Sequence, residues 1–260
     1  MLKYIEIGKF SISTFSLAIG TGVLIAILVF FKILNKRNVS SEYQDRLFLL
    51  LPFIIVGGIF GAMIFDKIAH WGENGAKWYE PAGISFAGGL ILGCLLFVLS
   101  HLIIMKQGIK GVFRDADMFV VPLLIAHGFG RIGCFFAGCC YGKPSDSFLA
   151  VTFPEGSLQH EQYGYITPVL PTQLFEAAFL FALCAITASF IKNYRLPIYL
   201  LSYGVFRFFL EYLRGDNRGN ISKIFSPSQV TSVIFILSGI VILLYTLKFK
   251  IYKTESKTEA

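Results

Sequence analysis

The segment MFVVPLLIAHGFGRIGCFF, from Met118 to Phe136, places an arginine inside an otherwise apolar run. About 20 predominantly apolar residues are enough for a helix to cross a lipid bilayer. A charge such as Arg131 is costly at membrane depth, so it usually marks a functional site. The segment therefore predicts a transmembrane helix and a site built around its arginine.

The composition extends this interpretation to the whole chain. Of its 260 residues, 55% are hydrophobic and 15% are charged, whereas soluble domains carry about 25% charged residues. Six further apolar runs have a similar length: Phe10–Leu34, Leu47–Phe65, Ile84–Met105, Gln173–Ile191, Leu196–Leu213 and Val230–Leu247. The sequence predicts an all-α integral membrane protein with seven transmembrane helices in a single membrane domain, residues 1–260.

The distribution of Lys and Arg predicts the orientation. More of them fall on the inside if the N-terminus lies outside and the C-terminus inside, in agreement with the positive-inside rule. This orientation places a loop at about 138–171 on the outer face, and residues 253–260 form a polar tail. The net charge of +7 comes from scattered residues, which excludes a nucleic-acid-binding patch.

The glycines around Arg131 admit two interpretations. Gly128, Gly130 and Gly133 could leave an irregular backbone whose N–H groups approach an anion, with Arg131 as a phosphate clamp. They could instead allow close helix packing beside an arginine that reaches the membrane surface. His127 lies one helical turn before Arg131 and shares its face, as a packing partner or as a base.

A second charged group occurs in YGVFRFFLEYLR, residues 203–214. On a helix, Arg207 and Glu211 stack one turn apart, as do Tyr203 and Arg207, and Arg214 extends the same face. A buried ion pair that fixes helix packing would account for one arginine. The second guanidinium is therefore predicted to bind phosphate.

Two further polar groups lie at predicted helix starts. Gln173 and Glu176 follow Pro171, and Glu176 could either act in a site or favour the positive end of the helix dipole. Gln229 begins the last span and could either belong to a site or form a hydrogen bond between helices.

Three cysteines follow the arginine: Cys134, Cys139 and Cys140. No CxxC pair or histidine pair supports zinc, so no metal site is predicted from spacing. Structural thiols, a disulfide on an oxidising outer face, and a nucleophile or metal ligand all remain open.

The order of these motifs resembles that of the prolipoprotein diacylglyceryl transferases. The motifs, in order, are FSISTF, SFAGGL, HGFGRIGCF, AVTFP, PTQLFE, YGVFRFFLEYLR and SPSQVTS, and the match runs from about Ile7 to Ser232. The resemblance implies a multi-pass protein of the bacterial cytoplasmic membrane. Such enzymes move the diacylglyceryl group of phosphatidylglycerol onto the lipobox cysteine of a pre-lipoprotein and release glycerol phosphate.

The resemblance also implies roles for individual residues. Arg131 takes the phosphatidylglycerol head group, while Arg207, Glu211 and Arg214 maintain the shape and charge of the site. Gln173 and Glu176 belong to a motif at the outer mouth.

Several family positions differ in this chain. Ala87 replaces the histidine of the SFHGG motif, and Cys134 and Cys139 replace an asparagine and a glutamate. Further differences are Phe15, Met63 and Leu170. The GCFxAGCCYG version recurs as a branch of the family. By elimination, His127 is the predicted base.

We therefore predict a phospholipid-dependent transferase. Its catalytic residues are Arg207, Glu211 and His127, and its substrate-binding residues are Arg131, Gly130, Gly133, Arg214, Gln173, Glu176 and Tyr203. The expected partners are phosphatidylglycerol, the lipobox cysteine and membrane lipids, and no cofactor is expected. Two alternatives stay open: cysteine-based lipid chemistry on the same scaffold, or a non-catalytic lipid- or lipoprotein-binding protein.

Overall fold

The computed structural model describes residues 4–8, 10–69, 86–216 and 226–252. The predicted polar tail, 253–260, lies outside the described residues. The chain divides into two compact units, one formed by Leu34–Asp115 and the other by Met1–Ile33 with Ala116–Ala260.

Helices make up most of the described chain, and each of the seven predicted spans overlaps one. Their bounds are α1 (Thr14–Lys36), α2 (Ser41–Ala69), α3 (Phe86–Leu99), α4 (Gly108–Ala137), α5 (Leu158–Tyr163), α6 (Thr172–Ser189), α7 (Arg195–Leu210) and α8 (Pro227–Lys248). A π-helical turn, Ser100–Ile104, continues α3, and a 3₁₀ turn, Glu211–Leu213, continues α7.

Five of the described helices are long and apolar enough to cross a membrane: α1, α2 as far as Ile68, α4, α6 and α8. The remaining two predicted spans are shorter, an apolar helix at Gly88–Ile104 and the 16-residue α7. The prediction of a helical membrane protein is confirmed. The count of seven spans stays a prediction.

The N-terminal segment departs from the all-α prediction. Strands β1 (Tyr4–Ile7) and β2 (Phe10–Ser13) pair antiparallel, with Tyr4 opposite Ser13. Gly8, in the turn, has a φ of +63°, which glycine adopts at little cost. The first predicted span therefore began too early, because Phe10–Ser13 forms a strand and the helix starts at Thr14.

In the unit Leu34–Asp115, glycines bring α2 and α3 into close contact. A Cβ added at Gly88 would lie 2.3 Å from the carbonyl oxygen of Gly61, and one added at Gly89 would lie 3.2 Å from that of Gly58. Small residues let the backbones approach closely, which favours van der Waals packing between membrane helices.

The other unit uses glycines in the same way. On α4, a Cβ at Gly128 would lie 2.8 Å from the Phe181 ring of α6, and one at Gly133 would lie 3.1 Å from the Phe15 ring of α1. Gly204 of α7 packs as closely against α8. These contacts fix α4 beside α1 and α6, and they fix α7 beside α8.

The connection between α4 and α6 has its own small core of Tyr141, Phe153 and Val169. Val169 bridges to both Pro144 and Val151. A further bridge joins Gly142 to Arg214, so the segment after α4 runs beside the segment after α7. This arrangement positions the residues that follow each helix in one region.

Candidate active site

A buried charged cluster lies where α4, α6 and α7 meet. The Glu176 carboxylate of α6 is its centre: Oε1 lies 3.1 Å from Arg131 Nε, accepts a hydrogen bond of 2.7 Å from the Tyr203 hydroxyl, and lies 3.8 Å from His127 Nε2. The His127 ring also meets the Tyr203 ring edge-on at 5.1 Å. Four residues predicted from three separate motifs are thus brought together.

Accessibility differs within this cluster. The Glu176 side chain is completely buried, whereas the side chains of Arg131 and His127 are 18% and 19% exposed. Oε2 of Glu176 has no hydrogen-bond partner among the described residues. Glu176 therefore forms the buried end of the cluster. The Arg131 guanidinium and the His127 imidazole lie at its partly exposed end.

Glu176 does not cap its helix. Helix α6 begins at Thr172, its first turn contains no acidic residue, and Glu176 points at Arg131 instead. Glu176 therefore lies beyond the first turn, where the helix dipole acts, and the helix-dipole interpretation is wrong. The burial of the side chain requires a nearby positive charge, which Arg131 provides.

The glycine segment of α4 is regular helix and not irregular backbone. Helix α4 continues to Ala137, so helical hydrogen bonds occupy the N–H groups that were predicted to approach an anion. Gly128 and Gly133 serve close packing, as the alternative interpretation held. Gly130 differs, because a Cβ there would meet nothing within 4 Å.

Arg207 and Glu211 form the predicted ion pair, with 2.7 Å between Nη1 and Oε2. Both are supported from the start of α8: Arg207 donates to Ser228 Oγ at 2.9 Å, and Ser226 Oγ donates to Glu211 at 2.8 Å. Arg207 also acts electrostatically on Glu176 and His127. The pair is therefore fixed at one end of α7 and adds positive charge to the cluster.

Gln229 has a local role. Its backbone N–H donates to Ser226 Oγ, and its side chain accepts from the Ser226 N–H, forming a capping box at the start of α8. Among the described residues, Gln229 forms this local box and no hydrogen bond to another helix, unlike the packing alternative. The cap positions the two serines that hold Arg207 and Glu211.

Arg214 does not extend the helical face of Arg207. Helix α7 ends at Leu210, and Arg214 has an extended backbone. Its guanidinium binds Asp216 through two hydrogen bonds, of 2.7 and 2.6 Å. Burial opposes the charged form, but Asp216 and the neighbouring Cys140 side chain outweigh it and raise the pKa of Arg214. The predicted spare guanidinium is thus paired with an acid that the motif did not include.

The start of α6 holds the turn that follows α4. Gln173 Nε2 donates to the carbonyl oxygen of Cys139 at 2.6 Å, and Thr172 Oγ1 donates to that of Cys140 at 2.8 Å. Both polar side chains are fully buried. Gln173 therefore positions the turn, and its Oε1 has no hydrogen-bond partner among the described residues.

Three thiols converge at this turn. The Sγ atoms of Cys134, Cys139 and Cys140 all lie within 4.8 Å of one another. They are thiols, and the described residues contain no disulfide. Hydrogen bonds with the other two thiols, together with burial, raise the pKa of the Cys139 thiol. The spacing did not predict this cluster, because a turn and not a CxxC helix start brings the sulfurs together.

The unit Leu34–Asp115 contains a different polar cluster that the sequence analysis missed. His101 Nε2 lies 3.0 Å from Asp115 Oδ2, and the ring's Nδ1 lies 2.9 Å from the carbonyl oxygen of Phe97. Tyr43 donates to the same Asp115 oxygen. His101 and Asp115 are 1% and 0% exposed. The signal for this cluster was a histidine in an apolar run and an aspartate beside a basic segment.

Comparisons with known proteins agree with the resemblance of the motifs. The sequence model for "Prolipoprotein diacylglyceryl transferase" matches residues 3–245. The phosphatidylglycerol–prolipoprotein diacylglyceryl transferase 2 of Clostridium perfringens is 32% identical over 247 residues, which are 91% of this chain and 92% of that protein. The transferase of Clostridium tetani is 31% identical, over 85% and 88% of the two chains. That of Aliivibrio fischeri strain MJ11 is 29% identical, over 96% and 89%.

Proposed function

Because this chain belongs to the prolipoprotein diacylglyceryl transferase family, we propose that it transfers the diacylglyceryl group of phosphatidylglycerol to the lipobox cysteine of a pre-lipoprotein. The observation that carries this proposal is the buried cluster of Arg131, Glu176, His127 and Tyr203 on helices α4, α6 and α7. An accessible guanidinium held by a fully buried carboxylate suits a lipid phosphate.

The first step is binding of the lipid head group. The Nε edge of Arg131 faces Glu176, so the rest of the guanidinium is available to the phosphate of phosphatidylglycerol. The open space at Gly130 lets the lipid approach α4. At Gly133, the lack of a side chain lets α1 pack closely against α4. Tyr203 and Glu176 hold the Arg131 side chain in its orientation.

The chemical step forms a carbon–sulfur bond and breaks a carbon–oxygen bond. The acceptor thiolate attacks the glyceryl carbon, and the phosphate oxygen takes the electron pair, so glycerol phosphate leaves. His127 is the base that takes the thiol proton. Arg131 and Arg207 stabilise the charge that develops on the leaving phosphate, while Glu211, Arg214 and Gln173 maintain the geometry.

The topology of the proposal follows from the same family. Seven spans form a single membrane domain in the bacterial cytoplasmic membrane, with the N-terminus outside and the C-terminus inside. The connection at 138–171 then lies on the outer face, where pre-lipoproteins emerge. Phosphatidylglycerol, the lipobox peptide and membrane lipids are its partners, and neither nucleic acid nor an obligate cofactor is part of the proposal.

The proposal is tested in a bacterial host depleted of its own transferase. We expect the wild-type chain to restore growth and diacylglyceryl modification of a reporter lipoprotein, measured by mass spectrometry. Glu176→Gln should abolish rescue, and Glu42→Gln, at an exposed residue of α2, should not. A well-expressed wild-type protein that binds phosphatidylglycerol without modifying the reporter would favour the non-catalytic alternative.

A further inference from the structure

The three-cysteine cluster lies outside the residues to which we assign the transfer reaction. Cys134 is in the last turn of α4, and Cys139 and Cys140 follow it. Gly138 and Cys140 have φ angles of +69° and +63°, and the Cys139 N–H donates to the carbonyl oxygen of Cys134 at 3.1 Å. The tight turn folds the chain back so that all three side chains meet.

Two buried side chains fix the backbone of this turn. The carbonyl oxygens of Cys139 and Cys140 accept hydrogen bonds from Gln173 and Thr172, which are both fully buried. A left-handed conformation is unfavourable for a residue with a side chain and persists only where its surroundings fix it. The backbone of Cys140 is thus held in a strained conformation that directs its sulfur to the other two.

The distances fit a thiophilic metal ion. Tetrahedral zinc with Zn–S bonds of about 2.3 Å requires sulfurs roughly 3.8 Å apart. The three Sγ atoms already lie within 4.8 Å of one another, so a contraction of at most about 1 Å would bring them to this spacing. Thiolates select soft ions such as Zn²⁺ or Cu⁺.

The charges nearby also fit a thiolate complex. Three thiolates around Zn²⁺ carry a net negative charge, and a fourth thiolate increases it. Arg131 interacts electrostatically with Cys134 and Cys140, and Arg214 lies against Cys140. Neighbouring guanidinium groups stabilise such an anionic complex.

We propose that Cys134, Cys139 and Cys140 bind one zinc ion through three thiolates and leave its fourth position open to the acceptor thiol. Zinc sites with three protein ligands keep the fourth position for a water or a substrate, and a thiol that coordinates zinc is deprotonated. This inference rests on the proposed function, because that function supplies the acceptor thiol.

With zinc bound, the metal ion and not His127 activates the acceptor thiol. The acceptor's S–H bond breaks as its sulfur binds zinc, and the proton passes to water. The sulfur lone pair then forms the bond to the glyceryl carbon, and the carbon–oxygen bond breaks towards the phosphate. The products are a thioether and glycerol phosphate, with no change in oxidation state. His127 is then not required as the thiol's base.

Metal binding is tested on the full-length protein in detergent with a thiol-free reductant. After chelator treatment, we expect Zn²⁺ to bind with one ion per chain, and Co²⁺ to give the intense sulfur-to-cobalt absorption of a tris-thiolate site. Cys134→Ser, Cys139→Ser and Cys140→Ser should each lose stoichiometric binding. Cys184→Ser, which keeps all three thiols, should bind as wild type. Gln173→Ala should bind roughly 10- to 100-fold more weakly, because it frees the turn.

The same protein distinguishes the ions. Binding of Cu⁺ by three thiolates with no stoichiometric Zn²⁺ would overturn the zinc assignment. A wild-type protein that binds neither ion would also overturn it. The same holds if two cysteines of the cluster form a disulfide under reducing conditions in which Cys184 stays a thiol. The Co²⁺ absorption is measured on the wild-type protein, so the result does not depend on whether the serine variants fold.

The open position is tested with a synthetic lipobox peptide. Adding the peptide to the Co²⁺ form should shift its absorption, and the same peptide with serine in place of cysteine should not. If transfer continues at full rate in metal-free protein, the zinc inference is wrong and the proposed function stands. If the metal and the peptide thiol bind but phosphatidylglycerol gives no product, the proposed function is wrong.

Discussion

The two compact units each contain a buried polar cluster, and the clusters differ in what a ligand can reach. In Leu34–Asp115, His101 and Asp115 are almost completely buried, and the Asp115 oxygens are bound by His101, Tyr43 and Arg114. In the other unit, Glu176 is equally buried, but Arg131 and His127 are partly exposed.

This difference separates a structural cluster from a binding site. Buried polar groups that satisfy one another stabilise a fold and add no affinity for a ligand. A cation that a buried carboxylate orients, and that still reaches solvent or lipid, keeps hydrogen-bonding capacity for an anion. The comparison predicts that substitutions near Arg131 reduce activity, whereas substitutions near Asp115 reduce stability.

The largest expected effect is that of Arg131→Lys. Lysine keeps the charge beside Glu176 but loses the planar, bidentate geometry that suits a phosphate. We expect kcat/KM to fall roughly 10²- to 10³-fold, the cost of removing one transition-state donor, with little change in thermal unfolding. Arg46→Lys, at an exposed ion pair of α2, is the control. Equal rates for the two variants would remove Arg131 from the phosphate site.

The second prediction concerns the closed cluster. Asp115→Asn keeps the shape of the side chain but weakens the charge-assisted hydrogen bonds with His101 and Tyr43. We expect a loss of about 3 kcal/mol in the free energy of unfolding, since hydrogen bonds to charged groups contribute roughly 1.5–3 kcal/mol. The activity per folded molecule should not change. Asp45→Asn, at an exposed residue of the same unit, should alter neither quantity.

The opposite result would alter the comparison. If Asp115→Asn lowered kcat/KM without lowering the unfolding temperature, the His101–Asp115 cluster would have a functional role. Unfolding is therefore measured by scanning fluorimetry in detergent on the preparation used for the assay.

The sequence predicts the position of the helices well because hydropathy depends on each segment alone. All seven predicted spans contain a helix. The Arg207–Glu211 pair follows from a local i, i+4 spacing. These features need no knowledge of the tertiary fold.

Other features depend on distant contacts and could not be predicted. Arg214 pairs with Asp216 because α7 ends earlier than its apolar run, and the bridge to Gly142 holds that segment extended. The thiols of Cys134 and Cys139 converge through a turn with left-handed residues. The regularity of α4 is a third case, because packing against Phe15 and Phe181 overrides the low helix propensity of glycine.

The third prediction concerns the orientation of the open cluster. Tyr203→Phe removes the 2.7 Å hydrogen bond to Glu176 Oε1. Without this bond, the carboxylate is less well oriented and positions Arg131 less precisely. We expect kcat to fall roughly tenfold, the equivalent of about 1.4 kcal/mol for one charge-assisted bond, and KM to change little. Tyr212→Phe, at an exposed residue of the 3₁₀ turn, is the matched control. A change in KM alone would mean that Tyr203 contacts the lipid and does not position Arg131.

The smallest expected effect tests the open side of the Arg131 cluster directly. A methyl group at Gly130 meets no protein atom within 4 Å, so Gly130→Ala should stabilise α4 by up to about 1 kcal/mol through helix propensity. If the lipid approaches there, the methyl group should raise KM for phosphatidylglycerol several-fold while the unfolding temperature rises slightly. Gly20→Ala, at an equally open position of α1, should give the same stabilisation with KM unchanged. Because both substitutions add the same methyl group to a helix, only contact with the lipid can make their KM values differ, and equal values would place the lipid on another side of the cluster.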